Sequence, residues 1–264
     1  MRKHLLKKFT INVLLVTLAC GGQERSISVG DWSSTGLSLG LAAGLELYGK
    51  DRLVSEYPRF KDPNAFDRIM REKLWLGEVR QEQARVWSDI LIYGVSMSSI
   101  LWGPLMTDNP EHALLINARV FSANSILTNL IKIMSARERP YHHYQTRDPE
   151  GSKDFTSFYS GHSSVAFSQA VTNGVLLSHS IPQHEVFMWT SLLGLASTTA
   201  YLRVAGDMHY FSDILIGALS GSMVAWVITQ SEVKRLNLDA SGGGGFRKGN
   251  RGEDFLLTIK IPLG

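Results

Sequence analysis

The chain has one cysteine in 264 residues, Cys20, which excludes an internal disulfide and a thiolate metal cage. It has no H-E-x-x-H pattern and no dense cluster of carboxylates, the arrangements that would point to zinc or magnesium. Strand-like alternation is rare, the eight prolines are scattered, and no fixed repeat period runs through the chain, which disfavours a sandwich or a solenoid. Charge is sparse at 19%, with 27 basic against 24 acidic residues. No basic stripe is present, which argues against nucleic acid as a partner.

What is abundant is apolar or small. Stretches rich in Leu, Ala, Ser and Met, in a chain that is 44% hydrophobic, predict an all-α fold: one helical bundle of about six core helices. Segments of helical length cover residues 31–48, 66–83, 87–106, 113–136, 163–178, 186–201 and 212–230. Polar residues interrupt several of them, namely Asp89, then Arg119, Asn124 and Asn129, then Gln169 and Asn173. With a mean hydropathy of −0.02, these interruptions favour an exported bundle that is soluble or membrane-associated over a fully inserted one.

The domain organisation reads as a leader over residues 1–20, a helical domain over 28–232, and a Gly-rich linker and tail over 233–264. Four cations (Arg2, Lys3, Lys7 and Lys8) precede an apolar run from Ile11 to Ala19, the pattern of a secretory signal or an N-terminal anchor. Cys20 follows directly, with Gly21 and Gly22 behind it, which offers a site for lipid anchoring. Removing the four cations takes the formal net charge from +3 to about −1, so the basic bias belongs to export. Residues 255–261 form an apolar tail, read as a short strand or a docking segment.

Three polar clusters stand out from this background. In "KIMSARERP", Lys132 and Arg139 lie seven residues apart on nearly one helix face, and Pro140 stops the helix. They can grip an anion together, or simply complement the dipole of a last helical turn. In "FYSGHSS", Ser160, Gly161 and His162 open an apolar helical pattern, which offers backbone N–H groups to an anion, or no more than an N-cap. In "RVAGDMHYFSD", His209 and Asp213 are four apart behind Arg203, a spacing that lets the carboxylate orient the ring and one that also arises by chance. Together the clusters contain the parts needed to hold a phosphoryl group and pass it through nitrogen.

The ordered set Lys132-x6-Arg139-Pro140, Ser160-Gly161-His162 and Arg203-x5-His209-x3-Asp213 resembles the three signature motifs of the type-2 phosphatidic acid phosphatase and vanadium haloperoxidase superfamily. The resemblance implies His209 as the nucleophile, Asp213 as its orienting partner and His162 as the acid for the leaving group. It implies Lys132, Arg139, Arg203, Ser160 and Gly161 as the phosphate cradle, with no cofactor and no metal. The implied activity is metal-independent hydrolysis of a phosphorylated lipid or a small phosphate ester through phosphohistidine, with membrane association. A vanadate-dependent haloperoxidase and a non-catalytic phosphate-binding protein are the alternatives. The implied location is outside the cytoplasm, periplasmic or at the membrane. Tyr159 replaces the family's proline before Ser-Gly-His and Leu202 its serine before arginine, departures that imply an altered rate or preference. The connector after Pro140 reads as a solvated loop, Arg137 and Glu138 as a solvated pair or a support for Arg139, and Asp207 as a tuning group for His209.

Overall fold

The computed structural model describes residues 27–236. The leader, Cys20, the glycine tract and the candidate strand at 255–261 lie outside the described residues. Within them the fold is all-α, as expected, with no strand. Helix α1 (Val29–Gly44) starts on a capping box in which Ser28 and Asp31 satisfy each other's backbone N–H groups. Wider turns (Leu45–Gly49) and a last short turn (Lys50–Leu53) extend it. Helices α2 (Ala65–Leu74) and α3 (Glu78–Leu91) follow. The segment expected at 66–83 is therefore two helices, broken where Gly77 adopts a φ of 80°, a conformation that glycine takes without a Cβ clash. An irregular helical segment (Ile92–Met97) leads from α3 into α4 (Ser99–Leu105).

Helix α5 (Pro110–Ser135) opens with proline at its first position, where a missing N–H costs nothing. Helices α6 (Gly161–Ser180), α7 (Glu185–Ala205) and α8 (Phe211–Arg235) complete the bundle. The closest helix approach is between α6 and α8. A Cβ on Gly217 would lie 2.7 Å from the Ser160 carbonyl oxygen, and one on Gly221 would lie 2.1 Å from that of Ser164. Small residues four apart on both helices let the backbones meet there.

Beside its apolar core the bundle buries many polar side chains. Asn117, Asn124, Asn129, Gln169 and Asn173 are all buried. Several of them bond one another or hydroxyls, as in Ser164 to Asn124 at 2.7 Å and Asn173 to Ser99 at 3.0 Å. The polar residues that interrupt the apolar runs thus face inward. Outside, Leu219, Met223 and Val227, one turn apart on α8, are each more than half exposed. Helices α5 and α8 are long and apolar enough to cross a membrane, and only 28% of the apolar window of α8 is buried.

Candidate active site

Four consecutive helix ends bring the three clusters together. Lys132 lies in the last turn of α5, His162 in the first turn of α6, Arg203 in the last turn of α7 and Asp213 in the first turn of α8. In an antiparallel bundle these positions share one end, with the positive N-termini of α6 and α8 among them. Helix α5 stops on Ala136, whose left-handed φ of 43° a β-carbon makes unfavourable. The Ala136 N–H donates to the Lys132 carbonyl, and its own carbonyl accepts from the Arg59 N–H. This tight stop sends Arg137 inward and carries Arg139 across the site.

The connector before α6 is the scaffold of the site. Thr156, Ser157, Tyr159 and Ser160 are all buried, while the stretch 140–155 read as a solvated loop is half-buried or exposed apart from Pro140, Tyr141 and Asp154. Lys132 Nζ donates to the Thr156 carbonyl at 2.5 Å. Arg139 donates to the Lys153 carbonyl at 2.9 Å and to the Thr156 hydroxyl at 3.1 Å. Ser160 caps α6, accepting from the Ser163 N–H at 3.4 Å, so its own hydroxyl proton remains available to donate. Gly161 lies over Lys132: a Cβ there would sit 3.7 Å from Lys132 Cε. Tyr159, in the proline position of the motif, is buried and its hydroxyl accepts from Thr128 at 3.2 Å and Ser220 at 3.1 Å.

His209 is 2% exposed. Its Nδ1–H donates to the Ser157 carbonyl at 2.8 Å. A carbonyl can only accept, so the lone pair is on Nε2. Asp213 Oδ2 stands further off, 3.8 Å from Nδ1, and couples to the ring through Ser157, whose hydroxyl donates to it at 2.6 Å. The carboxylate also accepts from the Tyr210 N–H at 3.0 Å. Burial, reinforced by the positive fields of Arg139, Lys132 and Arg203, holds the His209 imidazole well below the usual histidine value of 6.5.

Behind Asp213 lies a chain of buried charge. Arg137 donates to Asp213 at 2.6 Å and to Asp67 at 2.7 Å, and Asp67 accepts from the N–H and hydroxyl of Ser212 at the start of α8. Arg137 is thus no solvated partner of Glu138. Glu138 is itself buried and accepts from His142 at 2.6 Å and His143 at 3.2 Å. Asp207 is engaged by Arg71 at 2.7 and 2.8 Å and by Thr146 at 2.7 Å, so its contacts are to α2 and the connector, not to His209.

Arg203, 4% exposed, donates to the Ser88 hydroxyl at 2.9 Å and to Asp89 Oδ1 at 3.1 Å. Its Nε is buried with no partner, a donor suited to an anion oxygen. His162 Nε2–H donates to the same Asp89 oxygen at 2.8 Å. Asp89, Thr156 and Ser157 are the residues sequence reasoning missed. Asp89 had one usable signal, as the carboxylate that borders the charge-free run 90–107. For Thr156 and Ser157 it is the backbone carbonyl that does much of the holding, and no side-chain pattern reports a carbonyl.

The arrangement gathers three cations, a buried neutral imidazole with a free Nε2 and a second imidazole on a carboxylate. Those are the features of a site that binds a tetrahedral anion and attacks it through nitrogen. A family model described as PAP2 superfamily matches residues 113–236, a span that holds all eight residues of the three clusters and excludes Asp89. No solved structure matches the chain.

Proposed function

The chain belongs to the PAP2 superfamily, and from that premise we propose that it hydrolyses the phosphate monoester of a lipid, at a bilayer surface, through a phosphohistidine on His209. Membership supports phosphoester hydrolysis in general. The observation that carries the finer reading is the hydrogen bond from His209 Nδ1 to the Ser157 carbonyl. It fixes the tautomer that leaves Nε2 free to attack phosphorus. Asp213, through Ser157, supports the ring as positive charge develops on it. Lys132, Arg139 and Arg203, with the Ser160 hydroxyl and the Gly161 amide, take the phosphoryl oxygens and hold phosphorus in line for the attack. His162 gives the leaving oxygen a proton and later takes one from the attacking water.

The lipid part rests on where the charges sit. Residues 90–107, 186–202 and 214–231 contain no Asp, Glu, Lys or Arg, and at 1.5 Å per residue a run of that length spans about 27 Å. At the end of α8 away from the site, Arg119 pairs with Asp31 and Glu232, each at 2.7 Å. Charge is thus concentrated in layers at the two ends of the bundle. Polar side chains placed inside, large apolar side chains exposed outside and a charge-free band close to the roughly 30 Å of hydrocarbon in a bilayer favour insertion, with the site near one interface.

The reading is tested by phosphate release in EDTA from phosphatidate, isoprenyl pyrophosphate and p-nitrophenyl phosphate, using wild type and His209→Ala. The expected result is EDTA-resistant release that His209→Ala abolishes, with lipid substrates preferred. Full activity in His209→Ala would contradict the mechanism, and preference for the soluble ester would contradict the lipid assignment.

A further inference from the structure

We propose that Asp89, on α3 and outside the matched family segment, is the positioning residue that makes His162 the acid of the leaving-group step. The inference rests on the phosphatase reading above. Asp89 Oδ1 accepts from His162 Nε2 at 2.8 Å and from Arg203 at 3.1 Å, so one oxygen fixes both the acid and an anion-binding cation. The ring is otherwise in cationic company: Arg203 and Arg139 both act on it, Tyr93 packs edge-on with centroids 6.2 Å apart, and neutral His209 lies within electrostatic reach. Asp89, itself flanked by Arg85, is the carboxylate in contact with that ring among the described residues. Burial first, then the two guanidiniums, hold the ring below the ordinary histidine value, and Asp89 is the group that opposes them.

The role follows from the atom that is engaged. A carboxylate accepts and never donates when ionised, so Nε2 keeps its proton toward Asp89 and the transferable proton is on Nδ1. As His209 Nε2 bonds to phosphorus, the bond from phosphorus to the leaving oxygen breaks and its electron pair stays on that oxygen. The oxygen takes the Nδ1 proton, and the alcohol departs from a neutral His162. In the second half, a water oxygen bonds to phosphorus and gives its proton to His162 Nδ1. The pair of the phosphorus–nitrogen bond returns to His209, and phosphate leaves.

An acid matters most when the leaving oxygen is basic. Asp89→Asn is therefore expected to lower kcat on alkyl phosphates such as phosphatidate by about 10- to 100-fold. The loss on p-nitrophenyl phosphate, whose leaving group departs without a proton, should be markedly smaller, limited to what loosening Arg203 costs. The basic limb of the alkyl-phosphate pH profile should move to lower pH, because removing the carboxylate charge makes His162 lose its proton more readily. Asp89→Glu should recover part of the rate. Equal losses on both substrates, an unmoved basic limb, or a rise in kcat would each overturn the proposal. His209→Ala, run alongside, distinguishes the two levels: if it retains activity, the phosphatase reading fails whatever Asp89 does.

Discussion

His209 and His162 share the fields of Arg139 and Arg203, yet they are held in opposite ways. His209 is 2% exposed and rests on a carbonyl backed by Ser157, Asp213, Arg137 and Asp67, with Asp67 and Asp213 wholly buried. His162 leans on Asp89, a carboxylate that is 39% exposed. The proposed nucleophile is thus built into the folding core, where its orientation is fixed before substrate arrives. The proposed acid is built at the rim, where the alcohol would leave. Stability and catalysis should therefore be coupled on the first side and separable on the second.

The comparison breaks most severely at the nucleophile itself. His209→Ala should reduce phosphate release by at least about a thousand-fold, measured as initial rate at saturating substrate. Next, Arg137→Leu should cost about 3–5 kcal/mol of folding stability, because it leaves Asp67 and Asp213 buried without their counter-charge. A denaturant titration in detergent would measure this, and activity should fall with stability. On the Asp89 side, Asp89→Asn should move the same titration less, since this carboxylate is 39% exposed, the cost being what the buried Arg203 loses with its counter-charge. Helix contact behind the cradle gives a further step: Gly221→Ala places a Cβ against the Ser164 carbonyl and should cost about 1–3 kcal/mol. The smallest effect is expected for Tyr159→Phe, which removes one acceptor shared by Thr128 and Ser220, a loss of about 1 kcal/mol.

Acidity sharpens the contrast without a mutation. The folded-state value of His209 lies below 6.5, so its attacking form persists as the pH falls through the ordinary histidine range. The acid limb of kcat/KM, which reports the free enzyme, should therefore lie well below 6.5. A half-point at 6.5 would mean that burial and the three cations do not act on this ring.

Much of this was legible in the sequence where side chains carry it. The three motifs located the cations and both imidazoles, and helical periodicity identified the all-α class. The break at Gly77 was missed because an amphipathic pattern runs on through a residue whose φ only the fold decides. The sequence left open how far the bundle enters a bilayer, because Asn124, Asn129, Gln169 and Asn173 interrupt apolar runs in sequence, while in the fold all four are buried. Arg137 lay inside a motif and was read as solvated or as a support for Arg139, since its two carboxylate partners come from positions 67 and 213, far away along the chain. Asp89 looked like a flaw in an apolar helix.

The most direct test of the central claim, that the buried His209 forms the bond to phosphorus, is to trap the intermediate. Wild type mixed with labelled lipid phosphate would be quenched in alkaline denaturant, where phosphohistidine survives, and the labelled peptide identified by mass. The account predicts one phosphoryl group on the peptide carrying His209, absent from His209→Ala and accumulating when turnover is slowed. Label on His162, or turnover with no trapped phosphoryl group under any quench, would contradict it.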